Sequence, residues 1–235
     1  MPNTARARTI DLENPFIELE GMCELVLVRH GEQHLTRDTA VGQTIDPPLS
    51  ELGERQAEAV GERMAGARVD AMYTSPLQRA ADTGRAIGKH HGIDPVPVDA
   101  LQEFHTWIKL DHGKTVAEVL PREQVSAIFR EHVRTKRFAA FPYAEDRDAF
   151  RGRVNGALGD IINRHLGQRV VVTCHSGVIN AFLASIVETD QDVPVRVHHT
   201  SINVFRGADT RRAVISLNDH AHCLPLQSSI NAYNQ

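Results

Sequence analysis

The 235-residue chain predicts an α/β fold built on a mainly parallel sheet. Strand-like and helical patterns alternate along most of its length, as they do when parallel strands are joined by crossover helices. The run Cys23-Glu24-Leu25-Val26-Leu27-Val28 and the stretch 170–174 are too continuously apolar for a sheet with one wet face. Both end on a histidine with a glycine close behind, at the carboxyl edge where open α/β sheets hold their ligands.

Taken in order, residues 1–21 are polar and aperiodic and read as a flexible N-terminal extension, which leaves 22–235 as a single α/β domain. After the first strand, a polar loop closes on Asp46-Pro47-Pro48-Leu49-Ser50. Ser50 suits an N-cap, because its hydroxyl accepts from a free amide of the first turn. The helix it starts should reach about Ala65, with Leu52, Ala57, Val60 and Met64 inward. A second strand is expected over 69–74. Ser75-Pro76 then reads as N-cap plus proline at the first helical position, with Leu77, Ala80, Ala81, Gly84 and Ile87 on one face. A short third strand over 96–98 leads to Glu103. The stretch 104–145 is the least regular and reads as a cap or insert, with helices around 115–120 and 123–133 and a turn at Phe141-Pro142-Tyr143. From Asp146 onward, Phe150, Val154, Leu158, Ile161, Ile162 and Leu166 make one helical stripe that Gly167 terminates. The strand over 170–174, a helix through Phe182 and Val187, and strands over 200–205 and 213–218 complete the pattern.

Bulk properties exclude several classes. A formal charge of −4 supplies no cationic surplus for neutralising phosphates of a nucleic acid, and the basic run 134–137 is short and isolated. Cys23, Cys174 and Cys223 form no CxxC pair, which suits a reducing compartment rather than a disulfide framework. The first twenty residues hold no apolar h-region and no apolar run is long enough to span a membrane. A cytoplasmic enzyme that touches neither nucleic acid nor membrane is the expectation, with homo-oligomerisation left open.

The candidate site follows from the strand ends. Arg29-His30-Gly31 and His175-Ser176-Gly177 should share one sheet edge, with the glycines admitting close backbone approach to a ligand. Arg79, in the first turns of the helix after strand 69–74, points to the same edge, where helix N-termini favour anions. Arg29 and Arg79 are fork-shaped donors matched to phosphate oxygens. Singly, each residue has an ordinary structural explanation; two arginines and two histidines converging on one edge describe a phosphate pocket.

Those residues also make the chain resemble the histidine phosphatase, or phosphoglycerate mutase-like, superfamily. Leu25-Val26-Leu27-Val28-Arg29-His30-Gly31-Glu32 is similar to that family's signature. Asp46-Pro47-Pro48-Leu49-Ser50 with Gly53, Gln56 and Ala57, then Tyr73-Thr74-Ser75-Pro76-Leu77-Gln78-Arg79-Ala80, then Val171-Val172-Thr173-Cys174-His175-Ser176-Gly177-Val178-Ile179 follow in family order. Thr200-Ser201-Ile202-Asn203-Val204 is similar to a late family strand. The resemblance implies a three-layer α/β/α sandwich and a phosphohistidine mechanism without metal or cofactor. His30 would be the nucleophile, and Arg29, Arg79 and His175 would offset charge on the transferred group. Glu103 aligns with the family's proton donor, a role that like-charge repulsion beside a phosphate dianion suits. The chain departs from the family where Gln33 and Thr36 replace a Ser or Thr and an Asn, and where Ser176 replaces a Gly. Thr36 and Ser176 are counted as phosphate contacts.

A small phosphorylated metabolite is the expected substrate, and phosphomonoester hydrolysis the expected reaction. The glycolytic mutases carry paired arginines and a proline run after the proton donor. Here 104–145 offers Phe104, His105, Trp107, Phe129, Phe141 and Tyr143, as an apolar wall or as the cap's own core. Phosphoglycerate mutase-type transfer is the alternative, and an inactive scaffold relative a more distant one, because Arg29, His30, Arg79 and His175 are all present. The pairs His90-His91 and His198-His199 lack the helical spacing and acidic partners of a zinc site.

Overall fold

The computed structural model describes residues 21–36 and 38–226. The expected extension at 1–21 lies, Gly21 excepted, outside the described residues. Six strands, β1 (Cys23–Arg29), β2 (Ala71–Thr74), β3 (Val96–Pro97), β4 (Arg169–Cys174), β5 (Ile202–Ala208) and β6 (Arg211–Asp219), form one sheet in the order β3-β2-β4-β1-β5-β6. β1, β2, β3 and β4 are mutually parallel, whereas β5 runs antiparallel to both neighbours.

Alternation along the strands builds the two outer layers. Leu25 and Leu27 of β1 with Val170 and Val172 of β4 face one side. There they pack against Phe150, Val154, Leu158 and Ile162 of α6 (Arg147–Arg164) and Val178, Ile179 and Phe182 of α7 (Ser176–Ile186). Val26, Val28, Met72 and Val171 face the other side, against Val60 and Met64 of α2 (Glu51–Met64) and Ile87 of α3 (Gln78–Gly88). The chain is therefore a three-layer α/β/α sandwich, as the continuous apolar strands require.

Several expected boundaries move. α3 begins at Gln78, three residues after the expected cap, because the Ser75 hydroxyl is taken up elsewhere and Leu77 occupies the N-cap. The stripe of α6 ends at Ile162, since Leu166 lies past the C-cap and is half exposed. The polar loop before α2 contains a short helix, α1 (Val41–Ile45), that no local pattern announced. Ser50 caps α2 as expected, accepting from the Gly53 amide, and Asp146 caps α6 by accepting from the Ala149 amide. Between residues 104 and 145 lie α4 (Val116–Val119), closed by a reciprocal Thr115–Glu118 capping box, and α5 (Arg122–Thr135).

Candidate active site

Strand register brings the two histidines together. β1 and β4 pair so that Arg29 lies opposite Cys174, and the next residue of each strand is His30 and His175. Their ring centroids are 5.0 Å apart, and both residues are buried. β2 joins on the far side of β4 with Thr74 opposite Thr173, which sets Ser75 beside His175. The Ser75 Oγ lies 2.9 Å from His175 Nε2. Ser75 also accepts from the Leu77 amide. No local pattern at Ser75 announces this contact, because the partner is one hundred residues away.

The hydrogen bonds of His30 define its tautomer. Nδ1 lies 2.6 Å from the Gly31 carbonyl, to which only an N–H can donate. Nε2 then carries the lone pair, and it accepts from Arg79 Nε at 3.3 Å. Burial, followed by the neighbouring His175, Arg79 and Arg29, holds the His30 pKa well below the ordinary histidine range. Burial, then Arg79 and Arg29, does the same for His175. His175 Nδ1 is buried and has no hydrogen-bond partner among the described residues. His199, weighed above only as half of a histidine pair, completes the cluster. Its ring centroid is 5.7 Å from His30, and burial lowers its pKa to about 2.

Each arginine is held by the backbone. Arg29 Nη1 donates to the Val197 carbonyl at 2.6 Å. Arg79 is buried, donates from Nη1 to the Ile45 carbonyl at 3.1 Å and lies 3.8 Å from Asp46. Asp46 Oδ1 accepts from the Gln78 amide at 2.7 Å. The N-terminus of α3, expected to face an anionic ligand, is thus partly occupied by the protein's own carboxylate. One turn along α3, buried Thr83 accepts from the Gly31 amide and donates to the Arg79 carbonyl, tying the β1 loop to this helix.

Glu103 is set from two directions. Its Oε1 accepts from its neighbour Phe104's amide at 2.9 Å, and Oε2 accepts from Gly177 N–H in the first turn of α7 at 3.1 Å. Arg153 of α6 brackets the approach, donating to the carbonyls of Ala100 and Gln102 at 2.7 and 2.8 Å. The two glycines also admit close protein contacts, and Gly177 lines the cavity described below. A Cβ on Gly31 would overlap the Gly53 carbonyl of α2, and one on Gly177 would overlap Glu103 Oε1.

These groups open onto a cavity of about 440 Å³. Arg29, His30, Arg79, Glu103 and Ser176 all line it; His175, with its ring centroid 5.0 Å from that of His30, is fully buried. Gln33 lines the cavity, whereas Thr36 is exposed, bonds to Thr39 and is not part of the wall. The outer wall comes from the 104–145 region. Phe104, Phe138 and Phe141 are buried there, so the cap's aromatics are both its core and the cavity surface. The region is fastened by Asp192, fully buried, whose carboxylate accepts from the Phe138 amide at 2.8 Å and from Arg147 Nε at 2.7 Å.

Two imidazoles and two guanidiniums at the carboxyl edge of a parallel sheet, with a carboxylate across the cavity, define a phosphoryl-transfer class of protein. The chain belongs to the histidine phosphatase superfamily, branch 1, whose family model matches residues 25–220. It is a phosphoric monoester hydrolase of that superfamily. The metal-independent phosphoserine phosphatase of Arabidopsis thaliana is 31% identical over 223 residues, covering 91% of each chain. Phosphoserine phosphatase 1 of Hydrogenobacter thermophilus is 27% identical over 207 residues, 86% of this chain and 94% of its own. Among solved structures, a phosphoglycerate mutase from Bacillus anthracis superposes with a TM-score of 0.69 at 19% identity, covering 86% of this chain and 96% of its own. No helix among the described residues is long and apolar enough to cross a membrane.

Proposed function

We propose that the chain hydrolyses small phosphate monoesters through a phosphohistidine formed on His30 Nε2. The observation that carries this is the tautomer: Nδ1 donates to Gly31, so an unprotonated Nε2 sits in the cavity wall beside Arg79. Its lowered pKa keeps the lone pair available at neutral pH.

In the first step Nε2 bonds to phosphorus as the ester P–O bond breaks, and the leaving oxygen takes the proton of Glu103. In the second, water gives a proton back to Glu103 and bonds to phosphorus while the N–P bond breaks, releasing phosphate. The charge that spreads over the equatorial oxygens is offset by Arg29 and Arg79 and by His175. In this reading the Ser75 hydroxyl donates to His175 Nε2, which places the proton of the neutral ring on Nδ1, a nitrogen without a hydrogen-bond partner among the described residues. A phosphate oxygen fits as its acceptor. Ser176, on the cavity wall, is proposed as a further contact. Thr36 is not, because its side chain is exposed and engaged with Thr39.

The names of the two phosphoserine phosphatases favour hydrolysis over the mutase alternative. The test is phosphate release from 4-nitrophenyl phosphate and from alkyl phosphates by wild type and His30→Ala, beside an assay of phosphoglycerate interconversion. Release that disappears in the variant, with an acid-labile phosphoenzyme in quenched wild type, is expected. Undiminished release by the variant would overturn the assignment, and interconversion without release would make the protein a mutase.

A further inference from the structure

Resting on the phosphatase reading, the composition of the cavity beyond the phosphate end narrows the substrate. Trp107, Phe129 and Phe141 form a mutually edge-on trio, with ring centroids 5.7 Å apart for Trp107–Phe141 and Phe129–Phe141 and 6.3 Å for Trp107–Phe129. All three line the cavity, and so do Leu35 and Ile108. Phe129 is 47% exposed and Leu35 41%, so two large apolar side chains face solvent where a ligand would cover them.

Charge is distributed the opposite way. Among the described residues lining the cavity, the only Lys or Arg side chains are Arg29 and Arg79, both at the phosphate end. The one carboxylate there is Glu103. His105, also in the wall, has its pKa lowered chiefly by burial and adds no cation at neutral pH. His132 is the other histidine of the wall, and its Nδ1 is turned to the Arg137 carbonyl at 3.0 Å. A substrate carboxylate placed against this wall would lose its hydration with no Lys or Arg to replace it. A ring or branched chain would lose nothing and cover Phe129.

We propose that the preferred esters carry an uncharged, apolar alcohol of about the bulk of one aromatic ring, rather than the carboxylate-bearing alcohol of a phosphoserine or phosphoglycerate. The wall made by Trp107, Phe129 and Leu35 selects it.

The comparison must keep the leaving group constant in kind, since phenols leave more easily than alcohols. Benzyl phosphate, O-phosphoserine and 3-phosphoglycerate are all esters of aliphatic alcohols. We expect kcat/KM for benzyl phosphate to exceed that for the other two by about tenfold or more, the factor that goes with burying one ring. In Phe129→Ala and, separately, Leu35→Ala, both at exposed positions, that ratio should shrink through a raised KM for benzyl phosphate. Phosphoserine or phosphoglycerate turned over as well as or better than benzyl phosphate would overturn this proposal and leave the phosphatase reading intact. A benzyl preference undiminished in both variants would overturn the assignment to this wall. No phosphate release from any ester, 4-nitrophenyl phosphate included, would remove the phosphatase reading on which the proposal rests.

Discussion

Gly177→Ala tests how tightly the Glu103 carboxylate must be held. The new Cβ would overlap Glu103 Oε1 and lie 3.2 Å from its Cδ and 3.4 Å from Phe150 Cζ. The Phe150 ring is fully buried and fixed, so the mobile partner, the carboxylate, has to withdraw. It moves by roughly 1 Å, a misplacement of the size that costs about 100-fold when a catalytic group is involved. It also gives up the 3.1 Å bond from Gly177 N–H. A charged bond of that kind is worth about 1.5–3 kcal/mol, and removing glycine from a helix returns about 1 kcal/mol. The net loss of stability should be about 0.5–2 kcal/mol, a fall in Tm of only a few degrees for a chain of this length.

Activity should respond far more. On an alkyl phosphate, whose leaving oxygen needs a proton, kcat should fall about 100-fold, within the range for general acid catalysis. On 4-nitrophenyl phosphate, whose phenolate leaves unaided, the fall should be less than about tenfold. Steady-state phosphate release with both esters, and with Glu103→Gln and the double variant, gives the answer. The double variant should be no slower than Glu103→Gln alone, because both changes remove the same group. Losses that simply multiply, or an alkyl phosphatase activity left within about twofold of wild type by Gly177→Ala, would refute the reasoning.

Other perturbations address separate parts of the molecule. His30, His175 and His199 all have folded pKa values below the ordinary 6.5, chiefly through burial. The unfolded chain therefore binds protons that the fold refuses. Stability is full above about pH 6.5 and declines as pH falls below it towards the depressed values, by roughly 4 kcal/mol per pH unit at most for three such groups. Urea midpoints at pH 7.5 and 5.5 measure it, and equal midpoints would contradict the burial of these rings. Asp192→Ala removes the buried acceptor shared by Phe138 N–H and Arg147 and should cost about 3–5 kcal/mol in denaturant unfolding, with the 104–145 region the first to exchange its amides. A loss below about 1 kcal/mol would show the clamp to be dispensable. Vanadate, as a trigonal-bipyramidal mimic, should inhibit competitively, and turnover should be insensitive to chelator because the proposed steps use side chains alone. Indifference to vanadate would count against in-line transfer at His30.

Sequence by itself determined the layers of this protein and the composition of its sheet edge. Leu25, Val26, Leu27 and Val28 are apolar on both faces of a strand, which can be satisfied only by helices above and below. Ser50 and Asp146 carry cap chemistry that acts within three residues, so those helix starts were legible. The placement of these groups on one edge follows from local position: Arg29 ends β1, His30 and His175 directly follow β1 and β4, and Arg79 lies in the first turn of the helix after β2.

Tertiary structure alone decided what surrounds them. Ser75 was a plausible cap on local grounds, yet its hydroxyl meets His175 across the β2–β4 pairing. Thr36 was a plausible contact by position, yet the loop turns it to solvent and leaves Gln33 on the wall. Gly31 and Gly177 are also small because Gly53 and Glu103 press against them, a contact between distant segments. Likewise His199, 169 residues from His30 in the chain, packs near it only because β5 runs back beside β1. The physical reason is one of range. Periodicity and capping act over a few residues and leave their mark in the sequence, whereas register, close packing and the partners of buried polar atoms join distant segments.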